Sequence, residues 1–330
     1  MMKNKITEFD FKLRLFVDTN VLIDFVEGYN DRKSVTCLNL FQKTGASKKR
    51  KVDGVELVTS DYVLWEFYGR CRQELYVRKL VTEHNYGFIQ ANKESKDDNF
   101  RKHANNECMK QFGKEINEYI QRITGNNGMV FRERLIGKDS PGFSEFIDEV
   151  LKCSKFSYKD AIVFVSALFT RANGIITCDE HHFNKDRIEQ LKEAMKTCPI
   201  KDAEISFRKP EEFSTLDKIK LEYKNWFEKR NKSKIIGDIV KYYPRINVVE
   251  IKCKKGCSIN ENDSIYLVRF FEKANLGKFW LKVPTKASGN LISMKTKKPI
   301  DKGQHVTIKL PFKFPYKKKE WSKGWVFLAE

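Results

Sequence analysis

Four carboxylates in this 330-residue chain occupy positions from which chemistry could be built: Asp18, Glu66, Asp160 and Asp179. Asp18 ends a short apolar, β-prone run over residues 13–18, and Asp179 follows a second such run over 175–178. Glu66 lies one to two turns into a helix expected after the run 55–59. Asp160 opens a stretch that is apolar nearly all round. Four convergent carboxylates cannot all ionise without a counter-charge. A hard divalent cation supplies one, and Mg²⁺ or Mn²⁺ prefers such oxygen ligands. Ions held this way polarise a phosphate and lower the pKa of a bound water for in-line attack. Each acid alone has a plainer reading. Asp18 could cap the next helix, Asp160 could form a capping box with Ser157, Glu66 could sit on a solvated face, and Asp179 could be a turn residue.

The elements that must position these acids follow from periodicity. Val21, Leu22, Phe25 and Val26 repeat at helical spacing directly after Asp18. A helix starting near Ser60 follows the run 55–59 and carries Glu66. Residues 68–151 are polar and mostly helical in pattern, with turns at 125–128 and 140–142. Residues 157–170 read as a buried helix, with Gly174 as its C-cap. A helix bearing Ile188, Leu191 and Met195 precedes a last short strand at 204–208. The order β-α-β-α…α-β-α-β implies a parallel sheet with helices on both faces. In such sheets ligands gather at the carboxyl ends of the strands, where strand order reverses. All four acids fall on that edge.

Set in order, these segments resemble the motifs of PIN domains. Phe16-Val-Asp18-Thr-Asn20-Val-Leu-Ile-Asp24 matches the opening motif, and Ser60-Asp-Tyr-Val-Leu-Trp-Glu66 looks like the second. Tyr158-Lys-Asp160-Ala-Ile-Val resembles the third, and Ile176-Thr-Cys-Asp179-Glu-His-His-Phe183 the fourth. Phe207-Arg-Lys-Pro-Glu-Glu-Phe213 is similar to the closing strand and its tail. The resemblance covers residues 13 to about 215. It implies an α/β, PIN-like parallel sheet sandwiched by helices, and a divalent-metal-dependent endoribonuclease that hydrolyses phosphodiester bonds. Asp18, Asp160 and Asp179 would be direct or water-mediated metal ligands. Glu66 would complete the site or orient the attacking water. Asn20 and Thr177 are polar neighbours suited to supporting the ligands. Asp24, Asp61 and Glu180 are expected to be secondary, Asp24 directed away and the other two exposed. The stretch between Glu66 and Asp160 is longer than in compact members of the family. A homodimer, and an inhibitory protein partner if the chain is a toxin, are further expectations of the resemblance. The rival readings are a non-catalytic RNA-binding protein on the same scaffold and a DNA nuclease.

The net charge of +19 is unevenly spread. Residues 1–215 hold 36 Lys and Arg against 33 Asp and Glu, whereas residues 216–330 hold 27 against 11. Charge clustered in one region makes an attractive field for an anionic partner, nucleic acid first and an anionic membrane second, the plainer reading being a Lys-rich solvated surface; with the resemblance, the expected partner is RNA, single-stranded or structured. Near the end, Lys317, Lys318 and Lys319 interleave with Phe312, Phe314, Trp321 and Trp325, a mix suited to phosphates and stacked bases. Those aromatics could equally form the core of a small domain. Three divisions follow: residues 1–215, with a helical insertion at about 68–155; a helical linker at 216–240; and a basic, β-rich region at 241–330. Strands are expected there at 246–253, 264–271, 279–283, 291–296, 306–310 and 325–328, in a small barrel-like fold. Eight Cys without a secretion signal suggest free thiols and a cytoplasmic location. Cys178, His181 and His182 resemble a zinc cluster only superficially, and no apolar run is long enough to span a bilayer.

Overall fold

The computed structural model describes residues 5–6, 12–26, 33–41, 54–96, 106–125, 130–135, 142–179, 185–200, 205–231, 235–243, 245, 248–254, 264–269, 280–284, 305–309 and 324–329. The chain divides into two compact units. One holds residues 14–51 and 55–219, the other residues 1–13, 52–54 and 220–330. The first strand, β1 (Lys5–Ile6), belongs to the latter unit and pairs in parallel with the last strand.

The first unit is α/β. Its five strands are β2 (Leu13–Val17), β3 (Val55–Ser60), β4 (Val130–Glu133), β5 (Gly174–Ile176) and β6 (Ser206–Arg208), in the order β4-β3-β2-β5-β6. The pairs β2–β5, β3–β4 and β5–β6 are parallel. A central strand of a parallel sheet is covered on both faces and reads as a continuous apolar run. Every residue of β2, Leu-Arg-Leu-Phe-Val, is buried accordingly. Its one charge, Arg14, is 6% exposed. Its guanidinium donates to Glu56 at 3.0 Å, to Glu133 at 2.7 Å and to the Thr170 carbonyl, so the buried cation is paired.

The helices between strands are α1 (Thr19–Val26), α2 (Lys33–Phe41), α3 (Asp61–Glu83), α4 (Phe88–Glu94), α5 (Asn106–Thr124), α6 (Phe143–Cys153), α7 (Tyr158–Phe169) and α8 (Lys185–Lys196). Two details differ from the sequence reading. The stretch 68–151 contains a strand, β4, at the sheet edge. With only Val130 buried it carries little hydrophobic periodicity. Gly174 does not cap α7. The helix ends at Thr170, and Arg171 takes the left-handed conformation (φ 56°) instead. Gly174 opens β5, where a Cβ would meet the Ser206 carbonyl at 3.1 Å and Leu15 at 3.3 Å. Its small size serves close strand packing.

The strand order decides where a site can form. The chain steps outward from β2 to β3 to β4, then returns to the other side of β2 for β5 and β6. With right-handed crossovers, the connections leaving β2 and β5 depart to opposite faces of the sheet. In open sheets of this order the ligand crevice lies between those carboxyl ends.

The second unit contains α9 (Leu216–Asn231) and a sheet of order β10-β9-β12-β7-β8-β11, with β1 added beside β12. Its strands are β7 (Gly237–Tyr243), β8 (Val248–Cys253), β9 (Ser264–Arg269), β10 (Trp280–Pro284), β11 (His305–Lys309) and β12 (Gly324–Ala329), all paired antiparallel. β7 begins inside the segment read as a linker, and α9 buries Ile219, Tyr223 and Phe227. The strand expected at 291–296 and the residues Lys317, Lys318, Lys319, Phe312, Phe314 and Trp321 lie outside the described residues. No helix among the described residues is long and apolar enough to cross a membrane.

Candidate active site

Asp18 stands at the mouth of the crevice. Its backbone N–H donates to the Ile176 carbonyl at 3.1 Å, which extends the β2–β5 ladder by one residue. Its own carbonyl accepts from Leu22 N–H at 3.3 Å, so it is also the last residue before α1. The side chain is held from two sides. Oδ1 accepts from Thr19 N–H at 2.7 Å, and Oδ2 accepts from the Thr177 hydroxyl at 2.7 Å. Thr177 in turn accepts from Asp179 N–H at 3.0 Å, so one hydroxyl ties the ends of both strands together. Glu66, on the second turn of α3, accepts from the Thr19 hydroxyl at 2.9 Å and has the Arg70 guanidinium 3.9 Å away.

Asp18 is 5% exposed, and its carboxyl is pushed up from the ordinary 3.8 to about 6. Burial is the largest cause. The hydrogen bonds from Thr177 and Thr19 hold it down, and the negative charges of Glu66 and Asp179 raise it again. Asp18 thus senses the charge of two of the other sequence-predicted acids. Burial beside these like charges disfavours the ionised form of Asp18.

Asp160 begins α7, a helix that runs back from the same sheet edge. Its Oδ2 accepts from Ser157 N–H at 3.1 Å and from the Ser157 hydroxyl at 2.7 Å, while its own N–H donates to that hydroxyl at 3.3 Å. This is a complete capping box. Among the described residues, no three His, Cys, Asp or Glu side chains stand together at metal-holding spacing. Hydroxyls of Thr19, Thr177 and Ser157 engage these carboxylates instead.

Asn20 lies in the first turn of α1, half-buried. Thr177 is buried and makes the contacts above. Thr19 was passed over in the sequence reading, although it supplies two of the site's bonds. The available signal was a hydroxyl at the first helical position directly after a strand-ending acid. Asp61 is buried rather than exposed, because its Oδ1 accepts from Leu135 N–H at 2.8 Å and pins the chain leaving β4. Asp24 is buried too, and accepts from the Ser34 hydroxyl at 2.8 Å. It faces Cys178, whose sulfur lies 3.7 Å from Oδ2, and burial with the Asp24 charge raises that thiol to about 12. The β5 connection therefore packs against α1 beside the crevice. Glu180, His181 and His182 lie outside the described residues. Compared with known proteins, the chain matches no family model and no curated protein.

Proposed function

We propose that this protein is a divalent-metal-dependent endoribonuclease of the PIN type, with Asp18 at the centre of its site. The observation that carries the reading is the buried Asp18 carboxylate at the switch point, raised to about 6 beside Glu66 and Asp179. The donor chemistry fits a hard cation, since all three groups are oxygen ligands from acids. Asp18 and Asp179 would hold Mg²⁺ or Mn²⁺ directly or through water, with Asp160 joining from the end of α7. Mg²⁺ keeps several waters, so an all-protein cage is not required. When bound, the metal supplies charge for the phosphate and lowers the pKa of a water.

The protein's own groups have separate tasks. Thr19 N–H and the Thr177 hydroxyl fix the two oxygens of Asp18, which orients its remaining lone pairs toward the crevice. Thr19 also links Asp18 to Glu66, so the second-strand helix and the first strand move together. Glu66 can orient the attacking water or accept its proton. The basic unit of residues 216–330 would grip the strand through its phosphates, and a barrel-like arrangement of its strands would suit that task.

A second reading has its own support. The capping box gives Asp160 a structural task of its own, which favours a non-catalytic RNA-binding protein on this scaffold. The test is incubation of matched labelled RNA and DNA pools with Mg²⁺, Mn²⁺ or EDTA. Metal-dependent cutting of RNA alone supports the proposal. Cutting of DNA alone moves the substrate, and binding of RNA without cutting in either metal favours the second reading.

A further inference from the structure

Two large aromatic side chains are left exposed beside the acids. Trp65 precedes Glu66 and is 74% exposed; Tyr158 lies two residues before Asp160 and is 62% exposed. Both sit near the starts of helices, α3 and α7, that leave the carboxyl edge of the same sheet and touch each other. Scattered exposed aromatics are ordinary, but these two adjoin two of the four site acids.

The helix surface near Trp65 is open. Gly69 lies one turn beyond Trp65 on the exposed face of α3. A Cβ built there meets no atom within 4 Å among the described residues. Glycine in a helix interior is unfavourable relative to alanine, and here the space a side chain would take stays open. Exposed cations lie close to both rings in sequence. Arg70 is exposed on the same turn as Gly69, and Lys155 and Lys159 are exposed on either side of Tyr158. Alternating rings and cations is the pattern that holds unpaired nucleic acid, with bases on the rings and phosphates on the cations. Bases inside a duplex are already stacked and offer no face to a side chain.

We infer that Trp65 and Tyr158 are base-stacking platforms for an unpaired RNA strand. The choice of RNA rests on the proposed function above; the stacking itself needs no metal.

The test is binding of a short labelled oligoadenylate, and of the same sequence in a blunt duplex, to the full chain in EDTA. Trp65→Ala and Tyr158→Ala should each weaken binding of the unpaired oligonucleotide by about tenfold or more, from the usual worth of one stacked base. Trp65→Phe and Tyr158→Phe should stay within about threefold, since a ring remains. Duplex binding should be unmoved by all four variants. An oligonucleotide carrying 4-thiouridine should crosslink on irradiation to peptides containing Trp65 or Tyr158. Unchanged affinity in both Ala variants, equal losses for the duplex, or crosslinks confined to residues 220–330 would overturn the inference. Because no cleavage is read, its failure is separable from that of the nuclease reading. A protein that binds as described but cuts nothing keeps the stacking site and loses the enzyme. One that cuts RNA with both rings dispensable does the reverse.

Discussion

Replacing Asp18 by Asn should make the protein more stable at neutral pH while removing the proposed activity. The folded carboxyl titrates at about 6 against an ordinary 3.8. The folded state therefore holds this proton more tightly than the unfolded chain does. The stability linked to it is complete below the unfolded value and is lost as pH rises through about 6. A shift of this size corresponds to about 3 kcal/mol of destabilisation once the group is charged. Asn has nearly the same shape. Its Oδ1 can keep the bond from Thr19 N–H, and its Nδ2 can donate to Thr177 once that hydroxyl turns from donor to acceptor. With no charge to bury, the variant should melt about 6–12 °C above the parent at pH 7.5 in EDTA, for a unit of this size. Toward pH 4 the parent carboxyl is protonated and the gap should narrow by about 2–3 kcal/mol. Mg²⁺ should raise the melting point of the parent at pH 7.5 and leave the variant where it is. Circular dichroism melts at the two pH values decide the matter. A variant that melts at or below the parent at pH 7.5, or an equal gap at both pH values, would refute the reasoning.

Other outcomes follow from the same geometry. Arg14→Met should destabilise the α/β unit by about 3–5 kcal/mol, measured by urea unfolding, because it strands Glu56 beside a buried position. Thr177→Val removes a donor that lowers the Asp18 pKa, so the acidic limb of the cleavage–pH profile should move to higher pH, and Thr177→Ser should restore it. Ser157→Ala should cost about 1 kcal/mol in unfolding while leaving cleavage within severalfold, as expected for a lost cap. Asp160→Asn should show the opposite pattern, with cleavage gone and stability nearly kept; cleavage that merely tracks stability in both variants would reduce Asp160 to a cap.

Much of the α/β unit could be read from sequence because its signals are local. The all-buried run of β2, the Ser60 cap of α3 and the Ser157 box of α7 each announce themselves within a few residues. The strand β4 could not be read this way. It is four residues long and shows one buried side chain, and it is a strand only because Leu57 to Ser60 pair with it across the sheet. Gly174 misled for a similar reason. Gly after a helix usually marks a cap, but here long-range contact with Ser206 and Leu15 claims its small size. At the site, the strand-end position of Asp18 followed from alternation of strands and helices, whereas β5 ends at Ile176 and Asp179 stands three residues beyond it. The burial of Asp24 and Asp61 did not, because each acid is drawn inward by a single partner distant in sequence, Ser34 for one and Leu135 for the other. The strand β1 could not have been anticipated either, since its pairing partner β12 lies at the opposite end of the chain.

The most direct test of the central claim is single-turnover cleavage of an unpaired labelled RNA by the parent and by Asp18→Asn, each with Mg²⁺, with Mn²⁺ and with EDTA. Metal-dependent cleavage by the parent is predicted, abolished by EDTA and by the substitution while the variant stays folded and still binds the RNA. Cleavage that persists in Asp18→Asn or in EDTA would contradict the account, as would a folded, RNA-binding parent that cuts with neither metal.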